Sequence, residues 1–158
     1  MINIKDFETE IVELEKQFKD LSLEAVEMTE ANEDSPQDNF TDFISYLKSA
    51  FEQSVVWHHQ TNVYSVHKAL NKFYDGILDL TDGLIESTSG IYGRSVDYVI
   101  TQPVNFQNIE QVTAYFQSCY DQIQEDRANI YQETWIQNQV DSVATLFAQT
   151  LFLLSLNK

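Results

Sequence analysis

Residues 57–90 read WHHQTNVYSVHKALNKFYDGILDLTDGLIESTSG. On a helix from about Tyr64 to Ser87, the apolar residues Val66, Leu70, Phe73, Tyr74, Ile77, Leu80, Leu84 and Ile85 recur at three- and four-residue steps and form one arc. A second stripe runs beside it. His67, Asn71, Asp75, Leu78, Asp82 and Glu86 follow at steps of four, four, three, four and four, so their side chains stack along one line and could converge on a single point. Lys68 and Lys72 fall outside that line, which leaves it imidazole, amide and carboxylate, the donor types that ligate metals. Asp82 and Glu86 stand one turn apart, a spacing that lets them share a hard or borderline cation, while His67 widens the choice to iron, manganese or zinc. The same residues have a plainer reading: a histidine on an apolar helix is commonly a hydrogen-bonded core residue, and acids on an acidic chain are commonly solvated.

Toward the N-terminus, Ser35 followed by Pro36 reads as a cap and a first-turn proline, so a helix starts there. It carries Phe40, Phe43, Ile44, Leu47, Phe51, Ser54, Val55 and His58 on one face, so His58 points inward. Trp57 and His59 are expected to project elsewhere, with His59 a packing residue. The brief turn at Thr61 and Asn62 makes the two helices antiparallel neighbours and brings His58 near His67. A stop is expected near Ser89 and Gly90, with glycine taking the left-handed conformation.

Beyond it, residues 91–106 hold Gly93, Pro103 and the β-branched run SVDYVITQPVNF, with no helical period. They are long enough to cross from one end of a bundle to the other, and Tyr92, Arg94 and Tyr98 are the candidate contact residues on the way. A third helix, roughly Asn108 to Asn129, buries Ile109, Val112, Phe116, Cys119 and Ile123, with Asp121, Glu125, Asp126 and Arg127 on a solvated face. A fourth, about Tyr131 to Leu156, carries Trp135, Ile136, Val140, Val143, Leu146, Phe147, Leu151, Leu153 and Leu154. Its last turns are apolar on nearly all sides, which a contact with another copy or wrapping by the N-terminal segment would explain, and Asp141 has no evident partner.

The order of His58, His67, Asp82 and Glu86 resembles the ferroxidase stretch of the Dps miniferritins, within the ferritin-like superfamily. The strings HHQTNVYSVHKAL and YDGILDLTDGLIE resemble still more the small Dps-like proteins encoded by tailed bacteriophages. The resemblance covers about residues 39 to 157. It implies an all-α, ferritin-like four-helix bundle with a long crossover between its second and third helices. It also implies iron as the metal, oxidised from Fe(II), and a site across a dimer interface, with His58 and His67 of one copy facing Asp82 and Glu86 of another. Two departures are visible: Asn71 stands where the family has an aspartate, and the loop between the histidines is shorter. Neither of the last two helices contains a glutamate followed three residues later by histidine, which separates this pattern from the ferritins proper.

Composition narrows the remaining choices. Nine basic residues against 25 acidic give a net charge of −16, with a pI near 4.2. Such a surface repels phosphate backbones and anionic membranes, so neither nucleic acid nor membrane is an expected partner. The lone Cys119 rules out an internal disulfide and reads as a small buried hydrophobe. The N-terminus MINIKDFETE lacks a basic region followed by an apolar run, and LFLLSL is too short to span a bilayer. A cytoplasmic protein of the host cell is expected, or alternatively one attached to a virion.

Residues 1–33 form a separate expected segment from the bundle of 35–158. Ile4, Phe7, Ile11, Leu14, Phe18, Leu21, Ala25 and Met28 alternate steps of three and four as a heptad seam. The seam either folds along the bundle as an additional helix or pairs with a copy or another protein. Two functions follow: a Dps-like, metal-binding homo-oligomer, or a non-enzymatic adaptor among phage structural proteins that uses the bundle as a spacer.

Overall fold

The computed structural model describes residues 13, 16, 17, 34–94 and 97–156. Residues 13, 16 and 17 are helical, and the rest of the expected heptad helix over 4–28 lies outside the described residues. The four described helices belong to one compact unit, Ser35–Lys158: α1 Pro36–Gln60, α2 Tyr64–Tyr92, α3 Ile109–Asp126 and α4 Thr134–Ser155. No strand occurs among the described residues, and the chain is an all-α bundle.

Local chemistry explains the boundaries. Ser35 Oγ accepts from the Asp38 amide at 3.2 Å while Asp38 Oδ2 accepts from the Ser35 amide at 3.3 Å, so α1 starts in a reciprocal capping box with Pro36 in its first turn. Asn108 Oδ1 accepts from the Gln111 amide at 2.8 Å and starts α3. The left-handed stop of α2 lies later than expected: the helix runs through Tyr92, and Gly93 takes φ 91°. Tyr92 gains from the extra turn, because its ring stacks on Tyr131 at 3.9 Å. At the start of α4 the chain stays non-helical to Glu133, since Gln132 and Gln137 donate their amides to carbonyls of the preceding turn, including Ile130 O at 2.7 Å and Tyr131 O at 2.9 Å.

Directions follow from named contacts. The α1–α2 turn makes these two antiparallel. Trp57 meets Tyr115 near the start of α3, and Asn39 donates to Asn129 O beyond its end, so α3 runs antiparallel to α1 and parallel to α2. Helix α4 returns along both, with Ser87 and Gln139 hydrogen-bonded at one end and Leu146 against Gly76 further along. A Cβ on Gly76 would lie 3.1 Å from Leu146 Cδ2, which makes this the close approach of α2 to α4. Phe73 sits at the centre, edge-on to Phe116 at 4.7 Å and to Phe147 at 4.8 Å.

The long connection that this topology needs is held on α1 by side chains. Ser45 Oγ accepts from the Val99 amide at 3.1 Å and Ser49 Oγ from the Thr101 amide at 2.9 Å. Gln53 both accepts from the Val104 amide, at 2.8 Å, and donates to the Val104 carbonyl, at 2.9 Å. Gln60 Oε1 accepts from the Phe106 amide at 2.6 Å. The match is geometric: the seven residue-to-residue steps from Val99 to Phe106 cover roughly 23 Å when extended, and the fifteen helical steps from Ser45 to Gln60 cover roughly 22 Å. One helix face thus supplies what a neighbouring strand would supply. Replacing buried Gln53 with leucine leaves both backbone groups of Val104 without these partners, and should cost about 1–3 kcal/mol in denaturant unfolding.

Because α1 is covered by α2 on one side and by α3 on another, its buried arc is wider than the pattern indicates. Trp57 is fully buried against Tyr115, contrary to the expectation that it projects away from the core, and His59 is exposed rather than packed. Asp141 also has a partner: Arg127 holds it at 2.7 Å. No described helix is long and apolar enough to cross a membrane.

Candidate metal centre

The end of α1 and the start of α2 bring His58 and His67 together as expected. His58 Nδ1 lies 3.0 Å from the carbonyl of His67, and His67 Nδ1 lies 3.0 Å from the carbonyl of His58. A carbonyl only accepts, so each Nδ1 carries the proton and donates. The reciprocal bonds latch the hairpin and fix the tautomer of both rings. Each Nε2 is left with a free lone pair, the arrangement in which a ligating histidine is oriented by a backbone carbonyl behind it. The rings stack with centroids 3.8 Å apart and planes 25° from parallel, and Tyr74 closes one side with its ring edge-on to His58 at 5.1 Å.

Near-parallel rings at that separation do not aim both lone pairs at one ion about 2 Å away. Each histidine therefore offers its own nitrogen, rather than half of a chelate.

Asp82 and Glu86 lie on the same helix, both exposed, and neither makes a hydrogen bond or ion pair among the described residues. Fifteen residues of helix separate His67 from Asp82, roughly 22 Å, so one chain does not bring the acids to the histidines. Accordingly, no group of three or more His, Cys, Asp or Glu side chains able to hold a metal occurs among the described residues. Between the two pairs, Asn71 donates to Asp75 at 2.6 Å and Leu78 stands 54% exposed.

The spacing of this stripe is palindromic. Residues 67 and 86, 71 and 82, and 75 and 78 all share the midpoint 76.5. A second α2 laid antiparallel about that midpoint sets His67 against Glu86, Asn71 against Asp82 and Asp75 against Leu78, twice over, as an isologous contact requires.

Cys119 belongs to no such centre. It is buried among Tyr46 and Tyr115, and burial pushes its thiol up to about 11, with hydrogen bonds from the two tyrosines offsetting part of the rise. Burial in turn raises both tyrosine hydroxyls above their usual range. Native protein should resist iodoacetamide at about pH 8, where the folded thiol stays protonated, and react once unfolded, a difference read directly by mass spectrometry.

The model of a family of unknown function, DUF5856, matches residues 58–154, a span that opens on His58 and contains all four candidate ligands. Among curated proteins and among solved structures, nothing matches.

Proposed function

The chain belongs to the DUF5856 family of unknown function, and we propose that it binds a divalent first-row metal ion, iron foremost, at a site that two antiparallel copies build together. The observation carrying this reading is the histidine pair, in which both Nδ1 atoms are committed to carbonyls and both Nε2 atoms are left for a ligand. The palindromic stripe supplies the rest, since a second copy brings acids without hydrogen-bond partners to each imidazole pair. Neutral imidazole with carboxylate is a donor set suited to Fe(II), Mn(II) and Zn(II).

On this reading the bundle is ferritin-like, and the up-down-down-up course of its helices with a long crossover supports that. The likeness to the Dps miniferritins then makes Fe(II) the substrate. His67 would hold it through Nε2 from one copy, with His58 offering its own nitrogen to a second ion, while Asp82 and Glu86 from the other copy would supply the negative charge that favours Fe(III) once dissolved dioxygen has taken the electron. Purified protein incubated with Fe(II) in air-saturated buffer, where dioxygen is the electron acceptor, should retain iron on elemental analysis and show faster rise of Fe(III) absorbance than buffer alone. Replacing His58, His67, Asp82 and Glu86 together by alanine should abolish retention. Equal iron in the two proteins would end the proposal.

A second reading needs no metal. There the bundle is a spacer in a phage particle, and residues 4–28 attach it to a structural partner. That reading requires wild-type protein to hold no more metal than the alanine variant.

A further inference from the structure

Away from the histidines, α1, α2 and the crossover enclose a cavity of about 400 Å³. Phe51, Ile77, Leu78, Tyr98 and Ile100 make its walls. Pinning of the crossover to Ser45, Ser49 and Gln53 keeps the third wall in place, so the cavity is preformed, and its volume lies in the range of small-molecule sites. Leu78 and Ile100 are 54% and 45% exposed, so the mouth is apolar and open.

Two polar features go unanswered. Thr81, part of the lining, is only 5% exposed, and its hydroxyl has no hydrogen-bond partner among the described residues. A buried hydroxyl in that state is costly, and a polar atom brought to it recovers the loss. At the rim, Glu52 and Asp82 form no ion pair among the described residues. The one cation present, Lys48, places its ammonium over the Tyr98 ring, 5.3 Å from the centroid, and pairs with neither acid.

We infer that this cavity binds a small organic amine, with its apolar body between Phe51 and Leu78 and its ammonium between Glu52 and Asp82, where it also donates to the Thr81 hydroxyl. Apolar walls select the body, and the rim carboxylates select the charge. The inference does not rest on the metal reading and competes with it for one face, since Leu78 and Asp82 lie on the stripe that a second copy would cover, so the test uses dilute, metal-free protein and variants that leave all four candidate ligands intact.

The probe is phenethylamine, titrated calorimetrically against EDTA-treated full-length protein, with 2-phenylethanol as the uncharged comparator. Saturable one-site binding is expected, with the alcohol weaker by about tenfold and with methyl shifts confined to Leu78, Ile77 and Ile100 in NMR spectra. Glu52→Gln, an exposed change that leaves the core untouched, should weaken the amine about fivefold and the alcohol hardly at all. Thr81→Val should weaken both. Absence of saturable binding, equal affinity for amine and alcohol, or shifts elsewhere on the bundle would overturn the inference, as would a second copy found filling the cavity.

Discussion

Phe73→Ala is expected to lower the stability of the bundle by about 3–5 kcal/mol, a large part of what a domain of this size possesses. The ring is fully buried and belongs to α2, yet its edge contacts are with Phe116 of α3 and Phe147 of α4. Its removal opens a void where three helices meet, and neither neighbouring ring collapses into it without leaving its own contacts. Denaturant unfolding followed by circular dichroism reads the loss as a lower midpoint at unchanged slope. Leu78→Ala, on the same helix but more than half exposed, should change the midpoint by well under 1 kcal/mol when measured on dilute protein. If the two variants proved equally destabilising, α2 would not be oriented as described.

That orientation was legible from the sequence because α2 has one buried face. Val66, Leu70, Phe73, Ile77 and Leu84 are all buried, as their spacing requires, while Asp82 and Glu86 are exposed. Periodicity fails where a helix meets neighbours on two sides. Trp57 falls off the apolar arc of α1 and is nonetheless buried, because α3 covers that flank. The crossover is legible in the sequence as a non-helical connection, but its anchoring is not. Ser45, Ser49, Gln53 and Gln60 recur on one side of α1 and carry that signal; small polar residues on a helix look solvated until an extended segment is known to need acceptors. The end of α2 lies three residues past the glycine that the pattern points to: Gly90 has a glycine's freedom but helical neighbours, and Gly93 carries the positive φ.

For the candidate site, sequence gave the proximity of His58 and His67 through the shortness of the turn. It did not give the exchange of Nδ1 bonds with each other's carbonyls, which depends on ring orientation rather than spacing. The expectation that the whole stripe could converge on one point fails within a chain, because helix rise alone keeps His67 far from Asp82 and Glu86.

A site divided between copies has a consequence that no single-chain site shares. His58→Ala with His67→Ala destroys one half of it, and Asp82→Ala with Glu86→Ala destroys the other, so each double variant alone should retain no iron after Fe(II) loading. Co-expressed in equal amounts, the two variants should regain about a quarter of the wild-type content, because half of the pairs are mixed and each mixed pair holds one intact site of two. Elemental analysis of the co-expressed protein is the measurement. Recovery near that fraction is what the shared site predicts; a mixture as empty as its two components, with both variants folded and paired, would contradict it.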